Sequence, residues 1–112
     1  MKSATRYPRL VKAIENTTSS WSFLTNHAQA LVCIARDPDS RLRDIGDRIG
    51  ITERAAHRIV TELATAGYIT RQRNGRRNHY SINSHLPLPD SIAREQNIGV
   101  LLEVLTGAGA AR

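Results

Sequence analysis

The sequence predicts a mainly α fold carrying one small β-hairpin. Apolar residues recur at helical spacing from Leu42 to Leu63, with a single break at Gly50. Two alternating runs, 68–73 and 79–83, flank Asn74-Gly75, a dipeptide that tolerates the positive φ of a two-residue hairpin loop. Hydrophobic residues make up 40% of the 112 positions but aromatics only 4%, so the core must come from Leu, Ile, Val and Ala, which favours helices. A tight helix pair followed by a strand–turn–strand is a winged helix–turn–helix, here with flanking helices at both termini.

Three regions are expected: 1–20, 21–85 and 86–112. The first is basic, then polar. Pro8 suits the first turn of a short helix with Leu10, Val11 and Ile14 on one side, and residues 16–20 read as a linker. In the second region, Thr25 or Asn26 can cap a helix whose apolar positions are Ala28, Leu31, Val32, Ile34 and Ala35. Pro38 closes it, because the residue before a proline disfavours the helical conformation. Arg41-Leu42 reads as extended and able to supply a short third strand. The next helix runs from Asp44 to Ile49, and Gly50 suits the left-handed residue that ends it. Thr52 caps a third helix to about Ala66, with Ile51 placed to pack on Ala56 as a hydrophobic staple. Gly67 stops that helix, and the strands follow. In the last region, residues 86–89 form an extended connector, and Asp90 or Ser91 opens a helical segment through Leu105.

The formal net charge is +6. Four arginines without an acid, Arg71, Arg73, Arg76 and Arg77, sit in or beside the hairpin turn. A polyanionic partner is the direct inference. Arginine's planar fork suits phosphates and guanine edges and enters a narrow minor groove.

Within the helix pair, Gly46 is the small residue at the crossing, and Ile45, Ile49, Ile51, Ala56 and Ile59 surround it. On the third helix Ala56, Ile59, Val60 and Leu63 form the buried stripe. The opposite face carries Thr52, Glu53, Arg54, Ala55, His57, Arg58 and Thr61. Near the start of such a helix, Arg54 and Arg58 reach guanine O6 and N7 or phosphate, Glu53 a cytosine N4, and Ala55 a thymine methyl. Arg43 joins this set. A solvated face with local pairs such as Arg58–Glu62 is the plain alternative. The expected partner is double-stranded DNA, met by a recognition helix in the major groove and a wing on the minor groove or backbone. The alternative is a winged helix used for protein–protein or RNA interaction; single-stranded RNA recognition draws on stacking aromatics, and those of this chain mostly have core roles.

Residues 26–83 resemble the winged-helix domain of MarR- and ArsR-type bacterial transcription regulators. The resemblance is carried by residues 42–52 (Leu-Arg-Asp-Ile-Gly-Asp-Arg-Ile-Gly-Ile-Thr), by 56–69 and by Gly75-Arg-Arg-Asn-His-Tyr80. It implies a homodimer, a recognition helix starting at Thr52, a wing on DNA, and occupation of promoters. MarR-type regulators carry long terminal helices around an effector pocket, whereas the flanks here, 1–20 and 84–112, are short and broken by prolines and glycines. A small-molecule effector therefore stays unassigned. Metal-sensing members use cysteine and histidine clusters, which this chain lacks.

The dimer contact is assigned to Leu10, Ile14, Trp21, Ile98, Leu101, Leu102 and Leu105, with folding back onto the domain as the equal alternative. Cys33 reads as a small core residue. Its solitude excludes an intramolecular disulfide and fits a cytoplasmic, nucleoid-associated protein. No Ser/His/Asp or Cys/His group, metal-ligand spacing or phosphate-cradling glycine loop is present. No catalytic activity, metal or cofactor is expected. The apolar run 98–105 is too short to span a bilayer and contains Glu103.

Overall fold

The computed structural model describes residues 21–107. Helix α1 spans Asn26–Arg36, α2 Leu42–Ile49 and α3 Glu53–Thr65. Strands β1 (Ile69–Asn74) and β2 (Arg77–Ile82) form the wing, and a 3-10 turn at Ser91–Ala93 precedes α4 (Ile98–Thr106). The sequence expectation of a mainly α fold with one hairpin holds.

Local chemistry sets the helix ends. Thr25 caps α1, its side chain accepting from Ala28 N at 3.1 Å. Gly50 ends α2 at φ 79°, and the Gly46 carbonyl accepts from both Gly50 N and Ile51 N, at 2.8 and 2.9 Å. Thr52 caps α3 through Ala55 N at 3.0 Å, a bond worth about 1 kcal/mol to the helix. Gly67, at φ 90°, follows the end of α3.

α1, α2 and α3 enclose one aliphatic core. Ile34, Ile45, Ile59 and Val60 are fully buried, each contributing about 1.5–3 kcal/mol through removal from water. The stripe expected on α3 is the buried one. Ile51 packs on the cluster that contains Ala56. On α1 the buried set is Ala30, Leu31, Cys33 and Ile34, so Ala28 and Ala35 lie nearer the edge than expected. Burial pushes the Cys33 thiol up from its ordinary 9.0, against an opposing pull from Arg48 and Arg36.

Three expectations need correction. Arg41-Leu42 supplies no third strand: Leu42 is already the first residue of α2, and the sheet has two strands. A lone bond from Tyr80 N to Pro38 O, at 2.9 Å, stands where a third strand would pair. The wing turns at Gly75-Arg76, one residue later than expected, because Asn74 pairs with Arg77. Gly75 alone takes positive φ, at 68°, the sign pattern of a type II′ loop, whose first central residue is glycine. The C-terminal segment does not run as one helix from Asp90. Leu88 N bonds to Gln96 O and Ile98 N to Leu86 O, so the chain doubles back before Asn97 caps α4 through Val100 N.

α4 packs against α1. Ile98 and Leu102 are buried inside the subunit, and Leu102 belongs to the core. They are used within the chain instead of facing outward as the dimer assignment expects. Leu101 and Leu105 are half-buried. Trp21 is 65% exposed and sits edge-on to Phe23, so it is not a core residue. Leu10 and Ile14 lie outside the described residues.

Candidate nucleic-acid interface

The buried stripe of α3 dictates what the helix offers to solvent. With Ala56, Ile59, Val60 and Leu63 inside, Glu53, Arg54, His57, Arg58 and Thr61 are exposed together with the cap Thr52. Ala55 is half-buried, which shortens its reach. Glu62 does not pair with Arg58. Its carboxylate lies 2.7 Å from His27 Nε2, tying the far half of α3 to the start of α1. Among the described residues, the contacts between a carboxylate and a basic side chain are this one and His79–Asp39. Arg54 and Arg58 therefore face solvent without a carboxylate partner.

The wing places its cations on both faces. Arg71 stands opposite Tyr80 and Arg73 opposite Asn78, on the side that buries Tyr80. Arg77 points to the other side with Gln72 and His79, since side chains alternate along a strand. Arg76 occupies the turn. All four are exposed, and Arg73 Nε donates to Gly75 O at 3.3 Å.

One cleft joins the two elements. It has a volume of about 360 Å³ and is walled by Arg41, Leu42 and Arg43 at the start of α2, by Glu53 at the start of α3, and by Arg76, Arg77 and Asn78 of the wing. Asp39 and Ser40 complete the lining. The first turn of α3 and the wing thus open on the same side of the molecule. Arg73 and Arg77 line a neighbouring hollow with Asp39 and His79. Arg54, His57, Arg58, Thr61 and Arg71 are exposed but line neither space.

Residues of this surface that the sequence-derived set lacked include Asp39, Arg41, Asn78 and His79. Arg41 carries a signal in hindsight, a second arginine two positions before Arg43. The pairing of Asp39 with His79, forty residues apart, leaves no local pattern.

At the other end of α3, a mostly apolar cavity of about 250 Å³ lies between α1, the last turns of α3, the connector and α4. Leu31, Leu63, Leu88, Leu101 and Leu102 are among its walls. Val100 and Val104 of α4 point outward, Val104 at 72% exposure. No helix among the described residues is long and apolar enough to cross a membrane.

Comparison with known proteins agrees with this architecture. Among solved structures, the chain is similar to the PcaV transcriptional regulator from Streptomyces coelicolor in complex with its natural ligand. The TM-score is 0.51 at 20% identity, over 97% of this chain and 70% of that one. A second structure of that regulator matches with TM-score 0.50 at 20% identity, over 97% and 73% of the two chains. At that identity the likeness shows the fold. Among curated protein sequences none matches at a significant level. The sequence profile of the MarR family matches residues 22–77, a stretch running from before α1 through the turn of the wing, and the chain belongs to that family.

Proposed function

We propose that the chain is a sequence-specific, double-stranded DNA-binding transcriptional regulator. In this role α3 enters the major groove, and the arginine-rich wing lies on the minor groove or backbone beside it. The observation that carries it is the cleft shared by the first turn of α3 and the wing, bordered by exposed arginines without carboxylate partners. Leaving Arg54, Arg58, Arg71, Arg76 and Arg77 unpaired adds little to folding but leaves them available to a polyanion.

The roles divide by position. Arg54, Arg58, Glu53 and His57 face base edges. Thr52, Ala55 and Thr61 complete that surface. Arg43, Arg71, Arg73, Arg76 and Arg77 hold phosphates. A homodimer would set two such helices in successive major grooves, roughly 34 Å apart on a pseudo-palindromic site. Its contact would draw on Val100, Val104, Leu101, Leu105 and Trp21, together with Leu10 and Ile14. The function places the protein with the nucleoid in the cytoplasm and requires no catalysis or cofactor.

Selection of bound duplexes from a random pool tests this. Enrichment of a two-fold symmetric site is expected, with affinity falling steeply as salt rises. A flat salt response with no enriched sequence would replace the DNA partner with a protein one.

A further inference from the structure

We propose that Asp39 and His79 form a clasp that sets the wing against the recognition helix, making both of them positioning residues for duplex binding. This rests on the DNA-binding reading above. His79 Nδ1 and Asp39 Oδ1 lie 2.8 Å apart. One residue along, Tyr80 N donates to Pro38 O. The loop between α1 and α2 is therefore fastened to β2 by a backbone bond and a side-chain bond in adjacent positions.

The loop is the firm half of this joint. Ser40 N and Oγ both donate to Asp37 O, at 3.0 and 2.7 Å, and Asp39 N donates to Asp37 Oδ1 at 3.1 Å. Ser40 itself is buried. The wing is the free half. From Arg71 round the turn to His79, the only side-chain hydrogen bond to the body of the domain, among the described residues, is the one to Asp39. Without it the arginine-bearing tip would hang from Tyr80 and the base of the hairpin alone.

Charge makes the inference testable by sign. Asp39 is the one carboxylate lining the hollow that holds Arg73 and Arg77. On charge alone it repels approaching phosphates, so its removal should tighten DNA binding. As a clasp it does the reverse.

Duplex affinity of the full chain, measured across salt, separates the two. Wild-type binding with a steep salt slope comes first; if wild type does not bind DNA, the interface itself is wrong. Given binding, Asp39→Ala should weaken it about three- to tenfold, the scale of a half-exposed charge-assisted bond. Asp39→Asn keeps an acceptor for the imidazole and should lose less. His79→Ala should match Asp39→Ala, and the double variant should be no weaker than either single. The salt slope should fall in magnitude by about 1, as one wing phosphate contact is lost. Melting temperatures should fall by no more than a few degrees, because both side chains are about half exposed. Asp39→Ala and Asp39→Asn both tightening the complex, or losses from Asp39→Ala and His79→Ala that add, would overturn the clasp.

Discussion

Replacing Gly46 by alanine puts a methyl carbon 2.7 Å from the Ile51 carbonyl oxygen, and 3.2 and 3.3 Å from the oxygen and carbon of the Thr52 carbonyl. All three atoms are backbone, so no rotamer change relieves the contact. α2 and the turn into α3 must separate by several tenths of an ångström. Overpacking of this kind costs about 1–3 kcal/mol. Alanine's better helix propensity offsets roughly 1 kcal/mol of it. A 2.7 Å contact with backbone puts the cost in the upper half of that range, about 2–3 kcal/mol, so the net loss should be about 1–2 kcal/mol, a fall in melting temperature of roughly 4–15 °C for a domain of this size. The displaced atoms include the cap of α3, the proposed recognition helix, so the folded variant should also bind its duplex more weakly. Gly50→Ala is the control. Gly50 needs positive φ, but nothing lies within 4 Å of a Cβ there. That change should cost about 1 kcal/mol through backbone strain and leave affinity unchanged. Calorimetry and duplex titration read both quantities. A Gly46→Ala protein melting at or above wild type would show that the crossing yields freely and would refute the packing account.

Arg54→Ala or Arg58→Ala should reduce discrimination between duplexes, whereas Arg76→Ala or Arg77→Ala should weaken all duplexes evenly and lower the salt slope by about 1; a competition assay over several sequences distinguishes them. Thr52→Ala should destabilise the fold by about 1 kcal/mol through loss of the bond to Ala55 N, as read by denaturant titration. Because burial raises the Cys33 thiol, its contribution to stability is complete below about pH 9 and declines as pH rises beyond that. Cys33→Ala should therefore lose less stability than wild type between pH 8 and pH 10 in parallel denaturant melts. Val104→Glu, at an exposed position on α4, should shift the proposed dimer to monomer in sedimentation.

What the sequence disclosed depended on the range of the interaction concerned. Thr52, Gly50 and Gly67 act within a few residues, and each ends or begins a helix where local chemistry expects. The buried stripe of α3 was readable from spacing alone. The wing turn was ambiguous because Asn74-Gly75 and Gly75-Arg76 both satisfy a two-residue loop. The observed register sets Ile69 opposite Ile82 and leaves Asn83 N to bond Tyr68 O, a choice made by the base of the hairpin. The apolar residues of α4 were visible, but whether they served the subunit or a partner was not. Ile98 and Leu102 are resolved only by packing against α1 and the connector. The Asp39–His79 contact depends wholly on tertiary structure.

The apolar cavity beside α4 has a mechanical consequence. Leu63, in the closing turns of α3, shares its walls with Leu101 and Leu102. From Leu63 back to Thr52 is about 16 Å of rigid helix at 1.5 Å per residue. A rocking of about 4° around the Leu63 end would swing the leading tip by roughly 1 Å, beyond the tolerance of a hydrogen bond to a base edge. Whatever fills or squeezes that greasy hollow thus works the short arm of a lever, whose far tip carries the arginines proposed to meet the double helix.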